Sequence, residues 1–389
     1  MQRTFYSLVA AGIALIGCSY GFARFAYGLF VPAFTAEFGL TPTVIGVIGA
    51  GSYVGYCVAI VAALVLTDRI GARRMAVAAG VVATVGLTVV ATAPSAFALT
   101  VGILIGGSST GLASPPLAAA VAQRLTGSVA DRAQTFVNAG TGVGVVASGP
   151  VAYLLTDQWR LAWGVYAVVA ACATGWVAVA LRTPARGSGD SARLGGWFRR
   201  ETTPLLAASL LCGLGSIAIW NFGRDAISQA HTGGLATAAW IALGAAGIAG
   251  ALGGDLVRRL GFRPAWVGVV AAMSAATVLL AVAVRNPAAV LVAVTVFGAA
   301  YITMSGLLLI WSTRVYPESA SLGVGLSFFA LAAGQALGAP LTGALTENLG
   351  YPTAFVAAAA IGATALVLRP PLSPRADARS PQMPAEKRF

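Results

Sequence analysis

The most regular feature of this sequence is a series of apolar runs separated by short polar segments. A helix that crosses the hydrocarbon core of a bilayer needs about 20 consecutive apolar residues, and each run is close to that length. The pattern therefore predicts twelve transmembrane helices. The predicted spans are residues 6–30, 43–66, 75–93, 97–122, 134–155, 161–181, 204–230, 235–257, 265–284, 288–313, 322–345 and 351–368.

The second half of the chain repeats features of the first. Residues 20–24, Tyr-Gly-Phe-Ala-Arg, align with residues 220–224, Trp-Asn-Phe-Gly-Arg, and residues 69–73 align with residues 259–263. Such self-similarity predicts an all-α polytopic membrane protein with two pseudo-symmetric six-helix bundles in the same orientation. The predicted units are an N-terminal bundle at 1–181, a cytoplasmic linker at 182–203, a C-terminal bundle at 204–368 and a disordered cytoplasmic tail at 369–389.

Composition narrows the possible functions. The chain is 58% hydrophobic and only 9% charged, and twelve spans leave no room for a separate catalytic domain. The single lysine, Lys387, lies in the tail, which argues against an ATP-driven pump with a phosphate-binding lysine loop. The single histidine, His231, makes a zinc helix or a Ser-His-Asp triad hard to build. We therefore expect no enzyme, no cofactor and no metal site.

The net charge of +12 has a topological explanation. Of the 24 basic residues, Arg160 and Arg285 lie on one side of the predicted membrane, Arg24 and Arg224 lie within spans, and the other twenty lie on the opposite side. Cytoplasmic segments of membrane proteins carry such an excess of arginine and lysine. We expect a monomer in the cell inner (plasma) membrane, surrounded by the lipid bilayer, with both termini cytoplasmic and no nucleic-acid partner.

The segment after the second span contains the most specific motif. It reads Asp-Arg-Ile-Gly-Ala-Arg-Arg from Asp68 to Arg74. This resembles the loop signature Gly-x-Leu-x-Asp-Arg-x-Gly-x-Arg-Arg of the Major Facilitator Superfamily, with Leu64 in place of the opening glycine. The resemblance implies a transporter fold and a cytoplasmic gate formed by Asp68, Arg69 and Arg73. The alternative is a basic loop that only follows the positive-inside rule.

Three charged residues, Arg24, Arg224 and Asp225, lie well inside apolar spans. An arginine at the centre of a membrane helix costs about 2.5 to 3.5 kcal/mol, so both arginines are expected to face the bundle interior at comparable depths. An anion between them would relieve their repulsion, because guanidinium matches carboxylate or phosphate geometry. The alternatives are a structural ion pair with Asp225 and extracellular exposure of Arg224.

Several further side chains are candidates for the same cavity. Helical spacing places ring faces beside the two arginines, and large amides and phenols within spans need partners away from lipid. Asp225 is a candidate for proton coupling or, alternatively, for a fixed ion pair. The predicted substrate-binding residues besides the arginines are Tyr20, Tyr27, Trp220, Asn138, Tyr301 and Gln335.

The predicted function is secondary active transport of a small solute, a small-molecule substrate that we expect to be an organic anion, by alternating access. The first alternative is a proton-coupled antiporter that exports drugs or metabolites. A more remote alternative is a membrane sensor or scaffold without transport activity.

Overall fold

The computed structural model describes residues 2–125, 127–155, 158–182, 199–316 and 320–368. Residues 183–198 of the predicted linker and the whole predicted tail, 369–389, lie outside these ranges. Within them, the side chains are described except those of residues 2–5, 68, 122, 127, 128, 130, 131, 320 and 321.

The first half of the chain is a series of long helices joined by short connections. The first span is not a uniform α-helix, because a π-helical segment separates two α-helical parts. Its α-helices are Gln2–Ile16 and Ala26–Phe38, and the π-helical segment is Gly17–Phe25. The second to sixth spans are Pro42–Ile70, Ala72–Ala91, Ala96–Arg124, Gly127–Leu154 and Trp159–Ala180.

The second half repeats this arrangement, including the π-helical break in its first helix. The seventh span consists of Thr202–Ile217, the π-helical segment Ala218–Phe222 and Gly223–Ala230. The eighth span consists of Leu235–Ile248, a 3-10 turn at Ala249–Leu252 and Gly253–Leu260. The ninth and tenth spans are Phe262–Ala283 and Pro287–Val315, and the final helical stretch is Ala320–Ala363, followed by a 3-10 turn at Thr364–Val367.

These elements confirm the predicted all-helical fold. In the described part of the chain there is no strand, and ten helical stretches are long and apolar enough to cross a membrane. One of the ten, Leu322–Val367, is divided at Gly350, whose φ of 80° interrupts the helix. The helix Gly127–Leu154 is not among the ten but has the length of a span. The architecture is therefore consistent with twelve spans.

Glycines allow helices from the two halves to approach closely at two places. A methyl group on Gly46 of the second span would lie 2.4 Å from the carbonyl oxygen of Ala339 in the eleventh. On Gly142 of the fifth span it would lie 2.8 Å from the Gly244 oxygen in the eighth. Only glycine permits backbones to pack this tightly, as is common between membrane helices.

The two ends of the bundle differ in how the halves meet. We call the end where residues 2 and 368 lie the terminal face. At the opposite face the Thr43 amide donates to Glu347 Oε2 at 3.1 Å, which joins the second span to the eleventh. Towards the terminal face a small cavity opens between the halves. It is lined by Ile16, Ser114, Leu117, Gln134, Val137, Asn138, Leu309, Val324 and Phe328.

Candidate functional site

The π-helical segment of the first span positions a buried arginine in the middle of the bundle. Arg24 is 3% exposed and lies at the end of this segment. Gly17 and Gly21 face the backbone of Gly144 in the fifth span, and a methyl group on Gly21 would lie 2.5 Å from it. The wide π turn is thus held against the fifth span. Such π-helical insertions occur frequently at functional sites.

Aromatic rings surround the Arg24 guanidinium. Its Cζ lies 4.6 Å from the ring centroid of Tyr53, 4.8 Å from that of Tyr56, 4.9 Å from that of Phe25 and 5.4 Å from that of Tyr20. The negative face of an aromatic ring attracts a cation, by about 2 kcal/mol or more when both are desolvated. The four rings, which we call the Arg24 cage, therefore offset much of the cost of burying this charge.

A hydrogen-bond network extends from the cage into the second half of the chain. Arg24 Nη2 donates to Gln335 Oε1 of the eleventh span. Gln335 Nε2 donates to the Tyr301 hydroxyl at 3.1 Å and to Ser216 Oγ at 3.4 Å. The Tyr53 hydroxyl donates to Asn221 Oδ1 at 3.3 Å. The site is consequently built by both halves.

On its other side the cage is connected to the cavity that opens towards the terminal face. The Tyr20 hydroxyl is within hydrogen-bond distance of the Tyr56 hydroxyl, at 3.1 Å, and of Ser114 Oγ, at 2.7 Å. Ser114 also lines that cavity, as does Asn138, whose amide donates to Ser305 Oγ at 3.2 Å. A solute entering from the terminal face would therefore meet Asn138 and Ser114 before it reached the cage.

Stacked rings close the site between the first and seventh spans. The Phe25 and Trp220 rings stack with centroids 3.8 Å apart, and the Tyr301 centroid is 5.1 Å from that of Trp220. The two spans cross at this level, because a methyl group on Gly28 would lie 1.9 Å from the Trp220 carbonyl oxygen. Tyr27 is directed elsewhere, and its hydroxyl donates to the Ile45 carbonyl at 2.8 Å.

The site contains donors without acceptors. Arg24 Nε, Trp220 Nε1 and Asn221 Nδ2 are buried and have no hydrogen-bond partner in the described residues. Leaving a buried donor unpaired costs about 1 to 3 kcal/mol, and more for a charged group. Of the described aspartate and glutamate side chains, none is hydrogen-bonded or ion-paired to Arg24. Arg24, Trp220 and Asn221 therefore carry buried N–H donors that the described side chains and backbone do not satisfy.

Arg224 lies in a different environment, which corrects the prediction that the two arginines face each other. It borders a small cavity lined by aliphatic and aromatic side chains of the seventh, eighth and tenth spans, and its Nε is unpaired. Trp240 belongs to that lining, and its ring contacts Trp220 with centroids 6.0 Å apart. The stacked Phe25 and Trp220 rings thus lie between Arg24 and the surroundings of Arg224.

The register of the π-helical segments explains this difference. In the first span the segment continues to Phe25 and includes Arg24, whereas in the seventh it ends at Phe222, two residues before Arg224. Equivalent sequence positions therefore emerge on different faces of their helices. Sequence patterns do not report such a change in turn geometry.

Asp225 forms hydrogen bonds rather than an ion pair. Its Oδ2 accepts from the Tyr351 hydroxyl of the twelfth span and from Gln229 Nε2, the latter at 3.2 Å. Between the described side chains of Arg224 and Asp225 there is no ion pair. The predicted fixed ion pair is therefore replaced by a link between the seventh and twelfth spans.

The predicted gate residues are only partly described. Asp68 is in the second span, but its side chain lies outside the described residues. Arg69 is exposed, and Arg73 Nε donates to the Ala178 carbonyl at the end of the sixth span, at 2.9 Å.

Leu64, which replaces the signature glycine, packs against Gly325 of the eleventh span. The space that the signature glycine would give is provided from the opposite helix.

Sequence reasoning missed some of the residues that complete the site. Tyr53 and Tyr56 are three residues apart in the second span, so that both reach the same side of the helix. Asn221 could have been predicted as a site residue, because it is next to Trp220 and amide side chains are rare in apolar spans. Phe25 had no distinguishing signal, since phenylalanine is common throughout the apolar runs.

Comparison with known proteins agrees with this architecture. A family model described as Major Facilitator Superfamily matches residues 13–333 and 231–388 of the chain. The chain belongs to the Major Facilitator Superfamily. Its resemblance to that family and its fold class are therefore confirmed, and it is a multi-pass membrane protein of a secondary transporter family rather than of an enzyme family.

Two individual proteins illustrate how far the similarity extends. The crystal structure of a variant of the nucleoside transporter NupG has a TM-score of 0.73, covers 93% of this chain and 98% of its own, and is 13% identical. That identity supports a shared fold alone. A protein of Pseudomonas aeruginosa named "Transcription regulatory protein OpdE" is 28% identical over 336 residues, which are 81% of this chain and 82% of that relative.

Proposed function

We propose that this Major Facilitator Superfamily protein transports a small organic anion, which binds to Arg24. The observation that carries the proposal is a buried arginine that is surrounded by aromatic rings and whose Nε has no acceptor in the described residues. Arg24 Nε, Trp220 Nε1 and Asn221 Nδ2 have no acceptor in the described residues. A carboxylate or phosphate oxygen would accept from such groups through charge-assisted hydrogen bonds, which are stronger than neutral ones.

The transport cycle follows from where these donors originate. Arg24 belongs to the predicted N-terminal bundle, residues 1–181, and Trp220 and Asn221 belong to the predicted C-terminal bundle, residues 204–368. A bound anion would hold the two bundles together at the middle of the membrane, and rocking of the bundles would then open the site to alternate sides. In this proposal the protein acts in the plasma membrane, with cytoplasmic termini and a cytoplasmic linker at residues 182–203.

Binding of anions by matched arginine variants tests the proposal. Purified protein in detergent would be titrated calorimetrically with benzoate, succinate and inorganic phosphate, and uptake of any binder would be measured in proteoliposomes. We expect Arg24→Gln to weaken binding by about 10- to 150-fold, the effect of losing one charged hydrogen-bonding partner. The matched control is Arg224→Gln, which removes the same charge outside the cage and should change binding by less than about twofold.

Two results would reject this proposal. One is that no anion binds to correctly folded protein, and the other is that both arginine variants weaken binding equally. A further variant, Arg24→Lys, keeps the charge but removes the forked donor geometry. Intermediate binding by that variant would support direct contact between the guanidinium and the anion.

Proton-coupled export of a drug or metabolite is the alternative that Asp225 favours. Its carboxylate is buried and accepts from Tyr351 and Gln229, so that it lies at a junction of two spans. A carboxylate in such a position can exchange a proton as the spans move. Weak binding by all anions, with broad inhibition by amphipathic cations, would support this alternative.

A sensor without transport activity is the alternative suggested by the name of the Pseudomonas aeruginosa relative, a transcription regulatory protein. Such a protein would bind its solute without moving it. Anion binding that depends on Arg24, combined with no solute flux in proteoliposomes, would favour this function over transport.

A further inference from the structure

The surroundings of Arg24 define the chemical class of the anion, in an inference that rests on the proposed function. We infer that the substrate is a monocarboxylate with a flat aromatic body, which binds Arg24 through its carboxylate and inserts its ring beside Trp220. Three independent features of the site support this assignment: its ring surface, its charge and its set of donors.

The first feature is the amount of aromatic surface. Beyond the Arg24 cage, the rings of Trp220 and Tyr301 lie next to Phe25, with Tyr301 edge-on to both Phe25 and Trp220. Phe25 and Trp220 are stacked at an angle of 20°. A flat ring could replace either partner of this stack with little loss of contact, because offset-stacked and edge-to-face geometries are both favourable.

The second feature is the single positive charge. Arg24 is the cation of this cluster, and the Phe25 and Trp220 rings separate it from the surroundings of Arg224. One carboxylate would neutralise it. A dicarboxylate or a doubly charged phosphate would leave one buried negative charge without a partner, and an unpaired buried charge is strongly unfavourable.

The third feature is the kind of hydrogen-bonding group that is free. The unpaired groups of Arg24, Trp220 and Asn221 are all N–H donors, which pair with the oxygen atoms of a carboxylate. No described carboxylate contacts Arg24 or lies in the cage to receive an ammonium group. This set of groups selects against amino acids, whose positive end would face the guanidinium.

A set of probes that differ by one property each tests the inference. Benzoate has the ring and the charge, benzamide has the ring without the charge, and acetate has the charge without the ring. Cyclohexanecarboxylate has a ring that is not flat, and phthalate has a second charge. We expect benzoate to bind at least about tenfold more tightly than each of the other four, which corresponds to the loss of one favourable ring or charge contact.

Variants of Trp220 connect this selectivity to the proposed position. Trp220→Leu should weaken benzoate binding by about tenfold more than acetate binding, because it removes the Nε1 donor for both anions and the ring contact for benzoate alone. Trp220→Phe keeps a ring and should retain most of the preference for benzoate over acetate. The matched control is Trp266→Leu, since Trp266 is a buried tryptophan that packs against Trp311 outside the site.

The outcomes separate the inference from the proposed function. If phthalate, succinate or phosphate binds more tightly than benzoate and the binding requires Arg24, the transporter carries anions but this substrate class is wrong. Equal binding of benzoate and cyclohexanecarboxylate, or an unchanged preference in Trp220→Leu, would also overturn the inference. If no anion binds, the proposed function fails and the inference fails with it.

Discussion

The first and seventh spans are related by the internal repeat, yet they place equivalent arginines in unlike surroundings. Arg24 is enclosed by four aromatic rings, whereas Arg224 borders an apolar cavity. The neighbouring span accounts for much of this difference. By the repeat, Tyr53 of the second span corresponds to Leu243 of the eighth, and Leu243 lines the cavity beside Arg224. The aromatic surroundings of the arginine thus occur in the first half and not at the equivalent position of the second.

The comparison shows what pseudo-symmetry provides in this fold. It places both arginines at the end of a π-helical segment or just beyond it. It does not give them the same partners, because partners come from other spans whose sequences have diverged.

The largest expected effect comes from the crossing of the two spans. Gly28→Ala would place a methyl group 1.9 Å from the Trp220 carbonyl oxygen, which the backbone of the seventh span cannot avoid without moving. Overpacking of this kind costs about 1 to 3 kcal/mol or more. We expect a marked fall in melting temperature in detergent and loss of transport.

The control for Gly28→Ala is an alanine substitution at Ser228, the equivalent position in the second half of the repeat. Ser228→Ala removes a hydroxyl that donates to the Asp225 carbonyl at 2.9 Å, and should cost only about 1 kcal/mol. Equal destabilisation by the two alanine variants would show that the crossing at Gly28 is not as tight as described.

A second prediction places a carboxylate beside Arg24. Gln335→Glu would pair the guanidinium internally, because Gln335 Oε1 already accepts from Arg24. The internal carboxylate would compete with a bound anion, so we expect anion affinity to fall by about tenfold or more while the unliganded protein keeps its melting temperature. Calorimetric titration measures the first quantity, and thermal unfolding measures the second.

The matched control introduces the same residue in the seventh span, outside the Arg24 cage. Gln229→Glu adds a carboxylate to the seventh span, on a residue that contacts Asp225 and Tyr351. Anion affinity should then change by less than about twofold. If Gln335→Glu left affinity unchanged as well, Arg24 would not be the anion-binding group.

A third prediction concerns the Arg24 cage itself. Tyr53→Leu gives the second span the residue that the eighth span has at the equivalent position, and it removes both the ring over Arg24 and the bond to Asn221. We expect a loss of about 2 kcal/mol in the free energy of unfolding, measured by thermal or chemical unfolding in detergent.

Tyr53→Phe separates the two contributions, because it keeps the ring and removes only the hydroxyl. Its expected cost is about 1 kcal/mol. A Tyr53→Phe variant that is as unstable as Tyr53→Leu would mean that the ring contributes nothing to holding the arginine.

The smallest expected effect concerns Asp225. Asp225→Asn should leave the pH profile of transport unchanged, because the amide oxygen can still accept from Tyr351 and Gln229 and the proposed solute site lies around Arg24. The measurement is solute flux in proteoliposomes across a series of pH values. A variant that still transports but has lost the pH dependence of the parent would instead assign proton coupling to this residue.

Much of the fold could be predicted from the sequence. The number of spans follows from local hydrophobicity, and the relation between the halves follows from the internal repeat. Both signals can be read from the sequence without a structure. Span boundaries were less accurate, since the first helical span continues to Phe38, eight residues beyond the predicted end. The π-helical segments could not be predicted, because glycine-containing apolar stretches are equally compatible with regular α-helix.

Of the candidate site, the sequence predicted the buried arginine and some of the side chains around it, but not the full set of contacts. Burying Arg24 in a span is costly enough to make it a candidate from sequence alone. Four side chains that were predicted beside it lie in its network or next to it: Gln335, Tyr301, Tyr20 and Trp220. Arg224 and Tyr27 were predicted with them and lie elsewhere. The difference arises because a helix face is defined by rotation, and one π-helical turn changes that rotation.

The sequence by itself determined that this chain is a two-part helical membrane protein with a costly buried cation, because transfer from water to lipid acts on each segment independently. Tertiary structure decided which rings enclose Arg24, which donors are left unpaired beside it, and that Arg224 is separated from it by Phe25 and Trp220. Those contacts join residues hundreds of positions apart, and packing between helices selects them.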